Sequence, residues 1–254
     1  MTRKTPIAAA PGHRRCVTAA TIRARLRSLA DPRIASHSQR FFKTGPGDYG
    51  HGDRFLGIRV PVLRKVAREL RAAPFAAAFA LLRSPFHEER LVALLMLVDR
   101  YARGTAAEQR QIHEQYLEHV PKHVNNWDLV DSSAHYIVGA QLEGGDRGVL
   151  YELARSPHLW SRRVAIIATF WFIKRGSFDD TLAIAELLLD DREDLIHKAT
   201  GWMLREVGNR DRAVAERFLR RHCRRMPRTM LRYAIEKLPE RTRRAYLAGT
   251  VAER

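Results

Sequence analysis

The sequence is poor in what would cross-link it, embed it in a membrane or lay it out as strands. Cysteine occurs twice in 254 residues, as Cys16 and Cys223, and Cys16 falls in a segment that reads as a tail. A disulfide framework is therefore not expected, and a reducing cytoplasm is the default compartment. No apolar run approaches the ~20 residues needed to span a bilayer; the longest are Leu91 to Val98 and Val164 to Ile173. Residues Met1 to Ala10 carry Arg3 and Lys4 but lack the apolar centre of a signal peptide. Val, Ile and Thr rarely alternate with polar residues, so no strand is predicted. Residues 1–17 read as a disordered basic tail, and 18–254 as one domain.

Acidic residues are also scarce. Lys and Arg number 45 against 28 Asp and Glu, a formal net charge of +17, while 45% of the chain is hydrophobic. That composition excludes an acidic or wholly disordered chain. A surplus of positive charge attracts polyanions, nucleic acid ahead of an anionic membrane surface.

What is present is helical and repetitive. Apolar residues recur at three- and four-residue spacing from Ala19 onward, punctuated by Pro61, Pro74, Pro85, Pro121, Gly144, Gly145, Pro157, Gly176, Gly208, Pro227 and Pro239. The stretch Leu82-Arg83-Ser84-Pro85 with Arg90 to Leu95 returns 72 residues later as Ala154-Arg155-Ser156-Pro157 with Arg162 to Ile167. Half that offset, 36, superposes Arg162 on Lys198, within the period of two-helix HEAT or armadillo units. The expected fold is all-α: a right-handed α-solenoid of HEAT-like repeats with a concave basic groove. Such an array completes its own core, so a monomer with no obligate protein partner is expected.

Asn125-Asn126-Trp127-Asp128-Leu129-Val130-Asp131 reads as a helix start with an Asn cap. Trp127, Val130, Asp131, Ala134 and Val138 share one face, and an acid on that apolar stripe is out of place unless paired. Asp128 points away and has an explanation as a first-turn acid favoured by the helix dipole. The repeat offset sets Arg163 level with Trp127, with Trp202 one repeat and three residues beyond. Trp127, Asp131, Arg163 and Trp202 should then converge on the inner helices. Singly, each has a bland reading: core for the tryptophans, a structural acceptor for Asp131, a solvated face for Arg163. Together, aromatic faces and a carboxylate can stabilise a developing cation, and Arg can clamp a phosphate. Cleavage of an N-glycosidic bond needs that combination, because the sugar becomes oxocarbenium-like.

The same residues carry a resemblance. Phe41-Phe42-Lys43-Thr44-Gly45, Tyr49-Gly50, Gly52-Asp53 and Phe55-Leu56-Gly57-Ile58-Arg59-Val60-Pro61, with Asn126 to Asp131, resemble the AlkD-like DNA alkylation repair glycosylases. So do Trp160-Ser161-Arg162-Arg163, Asp194 to Ala199, Gly201 to Glu206 and Met226 to Leu231. The match runs in order from about Ser36 to Leu247. It implies a HEAT-like fold that excises N3- and N7-alkylated purines from double-stranded DNA in base excision repair, without a deep base-flipping pocket. On that resemblance Asp131 and Trp127 are catalytic, while Arg163 and Trp202 with Lys198 and Arg205 contact nucleic acid. No cofactor is implied.

Other motifs are weaker. Gly45-Pro46-Gly47-Asp48-Tyr49-Gly50 satisfies G-x-G-x-x-G but lacks the preceding strand and following helix, and reads as a loop near DNA flanked by Lys43, Arg54 and Arg59. His113, His119 and His123 are separated by Pro121 and lack a metal-binding motif, so no metal is expected. The run Arg220-Arg221-His222-Cys223-Arg224-Arg225 reads equally as a solvated face or a phosphate contact. Two other classes remain: a non-catalytic binder of bent or branched DNA, against which Asp131 argues, and a protein-binding HEAT scaffold, which predicts an exposed apolar groove rather than a charge of +17.

Overall fold

The structure is a computed structural model that describes residues 17–251. The tail expected over 1–17 lies outside the described residues apart from Val17, and so does Cys16; Cys223 is free and buried. Among the described residues there is no strand, only an isolated bridge between Arg54 and Phe86. None of their helices is long and apolar enough to cross a membrane.

The chain begins with α1 (Ala19–Arg27), α2 (Pro32–Phe41), α3 (Val60–Glu69) and α4 (Phe75–Leu82). Next come α5 (His87–Arg103), α6 (Ala106–His119), the short α7 (Trp127–Asp131) and a π-helical turn, His135–Gly139. The second half holds α8 (Gly148–Ala154), α9 (Leu159–Ala168), α10 (Phe170–Ile173), α11 (Asp179–Leu187) and α12 (Asp194–Gly208). It closes with α13 (Arg212–His222), α14 (Arg228–Ala234) and α15 (Glu240–Ala248). Caps explain several starts. Thr18 and Thr105 form capping boxes with Thr21 and Glu108, and Asp31 accepts from two amides ahead of Pro32 at N1.

The pairing is that of an α-solenoid. Helix α4 packs on α5, α8 on α9, and α12 on both α13 and α14, while α9 bridges α7 and α12. The two longest apolar runs of the sequence are the centres of α5 and α9, where Leu91 to Leu94 and Val164 to Ala168 are buried on every side. A helix apolar all round belongs between two layers.

Helices α5, α7, α9, α12 and α14 start at His87, Trp127, Leu159, Asp194 and Arg228, so the steps between them are 40, 32, 35 and 34 residues. The 72-residue echo holds between α5 and α9, but the uniform period of 36 does not. The step from α7 to α9 is four residues short, which sets Arg163 level with Asp131 rather than Trp127. The expected single stripe is also corrected. Helix α7 ends at Asp131, Ser132 and Ser133 turn the chain, and Val130, Ala134 and Val138 are fully buried while Trp127 and Asp131 are only partly buried, at the edge.

Close approach between repeats rests on two glycines in equivalent settings. A Cβ on Gly139 would lie 2.3 Å from the Ala168 carbonyl oxygen and 2.6 Å from Trp171 Cβ; on Gly201 it would lie 2.4 Å from the Met230 carbonyl oxygen and 2.6 Å from Tyr233 Cβ. We expect Gly201→Ala to destabilise the fold by ~1–3 kcal/mol through overpacking, read as a lowered Tm. Gly145→Ala, where a Cβ meets nothing within 4 Å, should leave Tm within a degree or two.

Candidate functional site

A cleft of about 610 Å³ opens where α7, α9, α12 and α14 face the α2–α3 loop. Asp131, Trp127, Arg163, Trp202, Lys198 and Arg205 all line it. The remaining walls are Phe41, Lys43, Tyr49, Glu193, Asp194, Leu195 and Tyr233.

Trp127 is held from three directions. Asn126 caps its amide at 2.9 Å, and Phe42 stacks on its indole at 5.3 Å with 19° between planes. Phe41 meets it edge-on at 6.1 Å and is itself 57% exposed, an aromatic edge at the mouth of the cleft. Trp202, half-buried, leans on Phe170 at 5.9 Å and donates to Glu206 at 3.3 Å.

Asp131 and Arg163 form a bidentate pair. Nε of Arg163 donates to Oδ1 at 2.9 Å, Nη2 donates to Oδ2 at 2.8 Å, and Nη1 donates to the Leu195 carbonyl. Arg163 is buried, whereas the Asp131 side chain keeps 18% of its surface toward the cleft. Burial pushes the Asp131 carboxyl above its ordinary value, opposed by the guanidinium and assisted by the charge on Asp128. The guanidinium stays cationic at any accessible pH and so favours the ionised form of its partner. Arg163 was expected to face a phosphate; the structure has all three of its nitrogens donating within the protein, and the carboxylate is what it orients.

The other expected contacts are paired too. Lys198 lies 2.7 Å from Asp194, and Arg205 is bonded to Glu236. Lys43, by contrast, makes no ion pair among the described residues, and it adopts the left-handed backbone (φ 50°) as the loop turns toward the cleft. The G-x-G-x-x-G segment is a loop, as expected, and Gly50 in it packs so tightly that a Cβ would lie 2.5 Å from the Phe42 carbonyl oxygen. Arg54 turns instead over the Phe86 ring at 4.7 Å. The His119 and His123 rings lie 5.5 Å apart, tilted by 41°, and Arg83 donates to His119. No group of three His, Cys, Asp or Glu among the described residues is arranged to hold a metal ion. The basic run at the end of α13 lies outside the cleft, Arg220 and Arg225 facing Glu216 and Asp190.

The profile of the DNA alkylation repair enzyme family matches residues 22–238, nearly the whole described chain. The chain belongs to that family. Among solved structures it is similar to one described as a predicted DNA alkylation repair enzyme from Enterococcus faecalis. The TM-score is 0.65 and the identity 17%, over 84% of this chain and 98% of that one, a likeness of fold. No curated protein matches it.

For a DNA alkylation repair enzyme, the part that sequence reasoning left incomplete is the support beneath Trp127. Asp128 points away from the cleft as expected, but it does more than favour the helix dipole: its Oδ2 lies 2.8 Å from Nε2 of the buried His87, whose Nδ1 lies 2.9 Å from Asp53. Asp53, also buried, accepts from Arg90 and from the Asn126 side-chain amide at 3.1 Å. Despite burial, the bond from His87 and the charge of Arg90 hold its carboxyl below the usual range. Bonds between residues 34 to 73 positions apart form this network, and no local periodicity signals it. Glu88 adds a second anchor, accepting from the amides of Leu56, Gly57 and Ile58 at 2.7–3.2 Å.

Removing one partner of a buried pair costs ~3–5 kcal/mol, because the other is left charged and alone. We expect Arg163→Met to lower Tm by several degrees and to push the Asp131 carboxyl further up. Arg163→Lys should restore the charge but not the two-point grip. Thermal melts and the carbonyl NMR titration of Asp131 check both; a fully stable Arg163→Met would show that the pair bears no weight.

Proposed function

We propose that this repair enzyme is a DNA glycosylase, hydrolysing the N-glycosidic bond of N3- and N7-alkylated purines in duplex DNA. The observation that carries this reading is a fixed carboxylate, Asp131, largely buried but open on one side to a cleft walled by two tryptophans, and aimed by a bidentate guanidinium.

Alkylation at N3 or N7 already puts positive charge on the purine, so the leaving base needs no protonation by the enzyme. What remains is to stabilise positive charge developing on the sugar and to direct one water at C1′. A carboxylate does the first by electrostatics that need no reorganisation, and the second by accepting the water's proton. The faces of Trp127 and Trp202 favour a cationic sugar or base beside them. The net charge of +17 supplies attraction to the duplex, and the uncommitted Lys43 is suited to a backbone phosphate. An acid limited to holding bent DNA would serve no purpose here, which disfavours a binding-only role.

Duplex DNA treated with a methylating agent is the test substrate, with released 3-methyladenine and 7-methylguanine measured by chromatography. Wild-type protein should release free base; none released, with DNA still bound, would favour the binding-only reading. Asp131→Asn keeps the shape and removes the charge, and should cut excision by ~100-fold or more while Kd for the duplex changes little. As burial raises Asp131 above the ordinary 3.8 of an Asp carboxyl, excision should fall on acidification with a midpoint above pH 3.8, and the residual activity of Asp131→Asn should lack that limb. Trp202→Ala should lower excision with little change in Tm, since the ring lines the cleft and is only half-buried; unfolding of that variant would return Trp202 to the core.

A further inference from the structure

His87 lies outside the cleft lining, yet it touches the supports on both sides of Trp127. Its Nε2 meets Asp128, the residue after Trp127, and its Nδ1 meets Asp53, which also accepts from Asn126, the residue before it. Its ring stacks on Phe55 at 4.6 Å and lies 4.9 Å from Phe42, the ring that stacks on Trp127.

Each ring nitrogen faces a carboxylate oxygen at hydrogen-bond distance. A carboxylate only accepts, so both nitrogens must donate, and only the doubly protonated ring has two donors. A neutral ring would set a lone pair against one carboxylate, on a side chain that is itself only 2% exposed. One of the two ties must then open, and whichever opens frees a neighbour of Trp127.

We propose that the His87 imidazolium is a positioning residue of the cleft, clamped between Asp53 and Asp128 to fix Trp127 and, through the single turn of α7, Asp131. The inference rests on the glycosylase reading for its rate measurements but not for its spectroscopic one. The charged groups facing the ring are Asp53 from the α2–α3 loop, Asp128 from α7 and Arg90 from its own helix, which is bonded to Asp53; Glu88 is turned to the loop amides. Burial opposes the charged ring, but the Asp128 charge and the bonds to both carboxylates raise His87 to about 9. In the cleft itself Tyr49 is pushed up from 10.0 by burial, and Lys198 up from 10.5 by its bond to Asp194. Loss of the His87 proton therefore precedes theirs as pH rises. The same sign applies to the fold: a raised pKa contributes stability in full below 6.5, and that contribution disappears as pH passes about 9.

The test measures single-turnover excision and duplex Kd from pH 6 to 10, with NMR of the His87 ring and the Trp127 indole N–H alongside. In wild type the excision rate should fall about tenfold with a midpoint near 9, Kd should change less than twofold across that midpoint, and the indole signal should shift in step with the ring. Asp128→Asn removes one counter-charge and should move the ring titration and the alkaline limb down by a pH unit or more. His87→Gln has one donor nitrogen and sets an acceptor oxygen against the other carboxylate, and should give a slower rate with no alkaline limb. An alkaline limb at the same pH in Asp128→Asn, or His87→Gln excising at the wild-type rate, would overturn the proposal. Should His87→Gln fail to fold, the wild-type and Asp128→Asn titrations decide alone: an indole signal indifferent to the ring's protonation overturns it. If wild type excises nothing, the glycosylase reading fails, while the coupled NMR titration still tests the clamp.

Discussion

A carboxylate taken out of water must be surrounded by donors, and the one at Asp53 collects three of them from two distant parts of the chain. Its partners are His87 and Arg90 on α5 and Asn126 at the start of α7, while Asp53 itself belongs to the α2–α3 loop. An unsatisfied buried charge costs several kcal/mol, so the loop, α5 and α7 cannot separate without leaving one. The position of Phe42, and with it the seat of Trp127, follows from that constraint. So does the entry to α5, where the Arg54 carbonyl accepts from the His87 amide at 2.8 Å and Glu88 gathers the amides of Leu56, Gly57 and Ile58.

The cleft is built on a second charged pair with a different balance. Arg163 is buried and all its nitrogens donate within the protein, while its carboxylate partner keeps an exposed side. That asymmetry suits an acid that has to act on something outside the protein: the rigid fork fixes two oxygens in a plane, and the open side remains for a ligand. Burial and the guanidinium pull the carboxyl in opposite directions, and the neighbouring Asp128 adds to the upward push. Asp128 is in turn engaged by His87, so the two charged clusters meet at α7, three residues apart on a single helical turn.

Shortness matters in α7. A helix of five residues is not stable by itself, and Asn126, Phe42 and the Asp128–His87 contact replace the support that a longer helix would take from its own backbone. The turn at Ser132 and Ser133 and the π-helical segment after it break the regular stripe, so the apolar residues of that stretch go into the core while Trp127 and Asp131 stay at the edge.

Helical periodicity, the 72-residue echo and the scarcity of strand patterning specify an all-helical repeat architecture, because they report which side of each segment is apolar. Trp127, Asp131, Arg163 and Trp202 could be gathered from the repeat spacing, and Lys198 and Arg205 from the family resemblance, because the inner helices recur at steps of 32 to 40 residues. Two matters were decided only in three dimensions. The four-residue shortening between α7 and α9 turns Arg163 from a level with Trp127 into a partner for Asp131, and a spacing average conceals one short repeat. The ionised knot of Asp53, His87, Arg90 and Asp128 joins residues whose individual positions look like loop, cap and first-turn acid. A polar side chain's partners are set by where distant segments meet, and hydrophobic pattern carries no information about that.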